Sequence, residues 1–146
     1  MRMDVFNEFC KDTALPTSTN ADSVLMGNVT NLGKTKTYPG NTSDLFLVIR
    51  VAADVTSNGA AKVAFELASD STANLATSRT THIAIPATAK ATLVSGYRMV
   101  YRLPRGAYEQ YLGIWATVDT AALTGVKIDA FLTDEPGNWM ALPDGI

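Results

Sequence analysis

Apolar and polar side chains alternate every second residue in several parts of this chain, and no window sustains a 3.6-residue period, so the sequence favours strands over helices. The segment Leu103 to Val118 shows what kind of strand is required. Pro104-Arg105-Gly106 combines a fixed φ with a residue that tolerates positive φ, the chemistry of a sharp reversal. Beyond it, Tyr111, Gly113, Trp115 and Thr117 fall on one side of a strand and Leu112, Ile114, Ala116 and Val118 on the other. Both sides are mostly apolar. That predicts a central strand covered on both faces, with Tyr111 and Trp115 in the core and no catalytic loop.

Further strands follow from the same alternation. Asp22 to Leu32 is closed by Gly33, and Asp44 to Asp54 sets Leu45, Leu47, Ile49 and Val51 against Phe46, Val48, Arg50 and Ala52. Ser57-Asn58-Gly59 predicts a hairpin turn, with a return strand from Ala61 to Ala68 that turns Val63, Phe65 and Leu67 inward. Ser69 to Arg79 reads as a polar loop long enough to reach over a neighbour. Thr80 to Ile85 is a short strand ended by Pro86, which cannot donate to a ladder. Ala87 to Ser95 is compatible with a helical turn or a loop. Tyr97 to Leu103 alternates with Arg98, Val100 and Arg102, and Thr124 to Asp134 turns Val126, Ile128, Ala130 and Leu132 inward before Pro136-Gly137. The expected fold is all-β, a two-sheet antiparallel sandwich, with jelly-roll and immunoglobulin-like arrangements as the choices.

The 146 residues form one expected domain, long enough to bury roughly 70% of the unfolded surface. An N-terminal arm (residues 1–20) and a C-terminal tail (135–146) stand outside the strand pattern. Val5, Phe6 and Phe9 near one end, and Trp139, Met140 and Leu142 near the other, are large apolar side chains in otherwise polar or Pro/Gly-rich surroundings. Two readings are open for them: they fold back on the sandwich, or they contact a partner. These six are the candidate partner-contact residues.

Catalytic constellations are scarce. His82 is the only histidine and Cys10 the only cysteine, which excludes an intrachain disulfide, a two-histidine metal site and a cysteine-based one. Ser95 and Asp129 are the remaining partners for a triad with His82, but no nucleophile-elbow motif accompanies them. No enzyme activity, cofactor or metal is expected. Twelve basic against fourteen acidic residues, scattered along the chain, disfavour nucleic acid as a partner. Arg50 interrupts the longest apolar run, so no membrane span is expected, and the first residues lack the apolar run of a secretory signal. The triplets Asn28-Val29-Thr30 and Asn41-Thr42-Ser43 match a glycosylation pattern and are expected to be unused. Charged residues make up only 18% of the chain, which suits burial against another protein. Arg98 and Arg102, with Arg50 as a further candidate, are expected to form a small basic stripe on one sheet face, either solvated or facing an acidic partner surface.

The order Asp22-Ser23-Val24-Leu25-Met26-Gly27, Asp44 to Val51, Val63 to Ser71, and Leu103-Pro104-Arg105-Gly106 followed by Gln110 to Val118 resembles the jelly-roll capsid cement, or decoration, proteins of tailed bacteriophages. The resemblance covers most of residues 20 to 133. It implies a structural virion protein, made in the host bacterial cytoplasm, that sits on the outer capsid surface and bridges neighbouring copies of the major capsid protein. It carries over no catalytic residue. Closed symmetry makes a homodimer the default self-association and a trimer the next. A carbohydrate- or receptor-binding jelly roll of a virion or tail is the alternative, with Trp139 or Tyr108 as its exposed aromatic. The tail from Asp134 to Ile146 has no counterpart in the resemblance.

Overall fold

Strand propensity and alternation are realised as eight strands: β1 (Glu8–Ala14), β2 (Ser23–Asn31), β3 (Phe46–Thr56), β4 (Lys62–Asp70), β5 (Thr80–Ala89), β6 (Arg98–Arg102), β7 (Tyr111–Asp119) and β8 (Gly125–Thr133). They are drawn from a computed structural model that describes residues 8–15, 23–33, 39 and 44–134. All pairings are antiparallel, in two four-stranded sheets with orders β1-β8-β3-β6 (sheet A) and β2-β7-β4-β5 (sheet B). Successive strands alternate between the sheets up to β4, and β8 returns to lie between β1 and β3. That interleaving is the double Greek key of a jelly roll and decides between the two arrangements left open by the sequence.

The core lies between the sheets. Leu47, Ile49 and Val51 of β3, Val63, Phe65 and Leu67 of β4, Leu112, Ile114, Ala116 and Val118 of β7, and Val126, Ile128, Ala130 and Leu132 of β8 point into it. Its ends are closed by connection residues, among them Leu93, Leu103 and Leu123. Each fully buried aliphatic side chain contributes about 1.5–3 kcal/mol by leaving water.

Several expectations are corrected. Ser57 to Gly59 does not close a hairpin, because β3 and β4 belong to different sheets and the turn is a corner between them. Gly59 is needed there for space: a Cβ would come within 2.7 Å of the Ala121 Cβ. Pro86 does not end β5, which runs on to Ala89. The proline sits at the edge of sheet B, within a register shift between Val63 and Phe65 of β4, where its missing N–H breaks no ladder bond. Residues 90–92 form tight turns, with Leu93 N–H donating to Lys90 O (3.1 Å), and no helix occurs among the described residues. The Pro104-Arg105-Gly106 reversal is found, with Gly106 at φ 139°.

Phe9 belongs to the core, with no exposed surface, because residues 8–14 form the edge strand β1 of sheet A, paired with β8. The described part of the expected N-terminal arm is thus a strand of the sandwich. Val5, Phe6, Trp139, Met140 and Leu142 lie outside the described residues.

Candidate interaction surface

The outer face of sheet A is ordered by register into three rows. Val100, Val48 and Phe131 face each other across β6, β3 and β8, flanked by Arg98-Arg50-Asp129 on one side and Arg102-Phe46-Thr133 on the other. The three arginines expected on one face do share it. Arg50 donates from Nε to Asp129 Oδ2 (3.0 Å), and Arg102 pairs with Asp44 just before β3. Both arginine side chains keep nearly half of their surface in water, 45% and 48%, and because Asp44 is exposed as well the Arg102 pair is worth little on its own. Asp129 itself is buried, and its other oxygen accepts the Asp12 N–H (2.8 Å) at a bulge of β1. One carboxylate therefore ties three strands together.

Val48 and Phe131 are buried, whereas Val100 at the end of their row is 37% exposed. Tyr101, on the inward side at the rim, is 36% exposed, and Val94 in the preceding turn is 49% exposed. These apolar side chains, gathered on and next to β6, were not singled out by the sequence. Alternation indicates which side a residue faces, but not that its strand is the last of its sheet.

The outer face of sheet B is built differently. Asp70, at the end of β4 and fully buried, accepts N–H groups from Ser71 (2.6 Å) and Thr72 (3.4 Å) at Oδ1 and from Thr77 (2.9 Å) and Ser78 (3.0 Å) at Oδ2. The 71–79 loop, expected to reach over a neighbour, is curled by these bonds over its own sheet. Leu75 is buried on Gly113, where an added Cβ would stand 3.4 Å from the Leu75 Cδ2. Arg79 lies over the Trp115 ring, 4.3 Å from its centroid, and its Nε is 3.3 Å from Glu66 Oε1. Trp115 is thus half-buried under an arginine on the outer face and is not in the sandwich core, a correction that applies to Tyr111 as well. The Trp115 Nε1 atom is buried without a hydrogen-bond partner.

His82, Ser95 and Asp129 do not meet. Asp129 is engaged on sheet A, Ser95 bonds to Ala52 O and to Asp54, and His82 lies on sheet B. The partner of His82 Nε2 is Ser69 Oγ at 2.6 Å, which also accepts the Glu109 N–H (3.1 Å). Its ring stacks on Tyr108, with centroids 3.8 Å apart. Ser69 has no exposed surface, so this pair braces β4 against the 104–110 connection and presents no nucleophile to solvent. Tyr108 is buried too, donates its hydroxyl to Pro104 O (2.8 Å), and has its pKa pushed up to about 12 by burial. It is not an exposed aromatic for a glycan. Among the described residues no group of three or more His, Cys, Asp or Glu side chains is placed to hold a metal ion.

Burial also holds His82 below its ordinary pKa. As pH falls below about 6.5 the unfolded chain takes up a proton that the folded chain resists, so stability drops until the folded pKa is passed. The melting temperature of the protein should fall between pH 7.5 and 5.5, and His82→Asn should flatten that slope. Equal slopes for both proteins would remove His82 as its cause.

Interleaved four-stranded sheets, a core filled from both, and polar clusters that brace the fold define a jelly-roll domain. A protein-family model described as Bbp16 matches residues 17–132, from the approach to β2 almost to the end of β8. The chain belongs to the Bbp16 family. No curated protein matches it.

Proposed function

We propose that this chain is a structural virion protein that binds the outer surface of a tailed-phage capsid and stabilises it by bridging neighbouring major capsid proteins. The observation that carries this reading is the division of labour among its polar groups. The clusters with chemical potential, Ser69-His82 and Asp70 with its amides, are consumed in bracing the fold. On the exterior of sheet A the exposed Val100 stands near the half-exposed Arg50 and Arg102 side chains, and apolar and arginine side chains together suit a contact surface. The sequence resemblance supports the same reading, since its segments fall on β2, β3, β4 and the β6–β7 reversal, the framework of the jelly roll.

Cementing requires no reaction. Apolar area buried across a junction of capsid subunits contributes about 25 cal/mol per Å² before the cost of association. If copies pair, one unit grips several capsid subunits and effective concentration raises the hold. The purified protein is expected to co-sediment with expanded empty capsids and to raise their disruption temperature. Failure to bind either mature or immature shells would sink the proposal.

A further inference from the structure

Among the described residues the sheets end in four edge strands, β1 and β6 in sheet A and β2 and β5 in sheet B. An edge presents unpaired N–H and C=O groups, and natural sheets blunt it with bulges, twists or proline. Three of these edges are blunted. β1 is interrupted by two register shifts, with Asp12 at φ 46°. β2 shifts register between Met26 and Thr30, with Gly27 at φ 62°, and β5 has two shifts and Pro86. β6 pairs with β3 from Phe46 and Arg102 to Arg50 and Arg98 in unbroken register.

Ladder geometry fixes which groups of β6 face outward. Val51 N–H donates to Tyr97 O (2.9 Å) and Leu103 N–H to Leu45 O (2.8 Å). Hydrogen-bonded pairs alternate with non-bonded pairs in an antiparallel ladder, so Met99 and Tyr101 bond to β3 while Val100 and Arg102 turn their backbone groups to the far side. On the same residues the side chains lie on the outer face, Val100 between Arg98 and Arg102, with Tyr101 exposed on the other face. β6 contains two arginines and no acidic residue.

We propose that β6 is a docking strand for an extended segment of another protein in which carboxylates flank an apolar residue at alternate positions, acid-x-apolar-x-acid. Antiparallel addition of such a strand places a carboxylate opposite Arg98 and another opposite Arg102, with the apolar side chain beside Val100. Cross-strand pairs of opposite charge support a sheet and like charges oppose it. That rule also disfavours a second copy as the occupant: self-pairing centred on Val100 sets Arg98 of each strand opposite Arg102 of the other. Asp44, seated on Arg102 in the isolated chain, shows that the position accepts a carboxylate, and the exposure of both partners leaves that pair exchangeable.

The test uses the whole protein and a capped peptide, Thr-Glu-Thr-Val-Thr-Glu-Thr, with a counterpart carrying Lys for Glu. Amide resonances are followed as each peptide is titrated into the millimolar range. The Glu peptide should shift the Val100 and Arg102 amides and slow their hydrogen exchange, with affinity falling as salt rises. The Lys peptide should bind at least about tenfold more weakly. Val100→Pro removes an N–H that β3 does not use, so it should melt within about 3 °C of the parent and lose peptide binding. If that variant does not fold, Arg102→Glu serves instead and should reverse the preference toward the Lys peptide. The proposal is overturned by the absence of shifts on β6, by equal binding of both peptides, or by self-association that Val100→Pro abolishes, which would make a second copy the occupant. Peptide binding is read on the isolated protein, so it fails or succeeds separately from capsid binding.

Discussion

Gly27→Ala should destabilise the protein by about 3–5 kcal/mol, far more than an alanine usually costs in a strand. Gly27 sits in β2 at a register shift, with φ 62°, and a Cβ built on it would stand 2.1 Å from the Phe9 carbonyl oxygen and 2.7 Å from the Cys10 Cβ. Both obstacles belong to β1, the edge strand of the other sheet, and the first is backbone that cannot rotate away. The close approach of β2 to β1 is what closes this side of the sandwich over Phe9. Gly33 provides the matched comparison: its φ is 82°, but nothing lies within 4 Å of the position a Cβ would take, so Gly33→Ala bears only the left-handed strain of about 1–2 kcal/mol. Urea unfolding of the two variants separates steric exclusion from backbone strain. Equal losses would mean that β1 yields without cost and that the contact with β2 is unimportant to stability.

The difference between these glycines illustrates how much the sequence disclosed. Period-two alternation located β3, β4, β7 and β8, and the inward side of β4 and β8, because burial of one face imposes that period directly. It did not reveal that β3 and β4 lie in different sheets, since a strand keeps the same inward face whether its neighbour in sequence is beside it or across the core. Trp115 was misplaced for a related reason. On a central strand both faces are apolar, and nothing local tells the face covered by the opposite sheet from the face covered by Arg79 and Leu75. Arg98 and Arg102 were legible as neighbours on one face because that depends on parity alone, whereas Arg50 joins them through the pairing of β3 with β6. That β6 ends its sheet among the described residues was not legible, because parity within a strand does not say which strands lie beside it.

The 71–79 loop was the least legible element, because its anchor is a charged residue whose burial depends on amides up to eight positions away, and its loss gives the second large effect. Asp70→Ala should cost about 2–4 kcal/mol, as four backbone N–H groups lose a charged acceptor and only some recover water. Release of the loop should lift Leu75 from Gly113 and Arg79 from Trp115, so the indole fluorescence should shift to the red as the ring becomes wetter. Acid provides an independent route to the same state. Burial alone would raise the Asp70 pKa, but the amides of Ser78, Thr77, Ser71 and Thr72 outweigh it and hold the carboxyl below its ordinary value. A carboxylate depressed in the folded state contributes its full stability above the unfolded value, about 3.9, and loses it as pH falls from there through the folded pKa. Exchange of the Thr77 and Ser78 amides should therefore stay slow at pH 5 and speed up below about pH 4 relative to the core amides of β7. Asp70→Asn, which keeps one acceptor oxygen but no charge, should show fast exchange at both pH values. Protection of Thr77 and Ser78 that is unchanged in Asp70→Asn would show that the loop is held by Leu75 packing and not by the carboxylate.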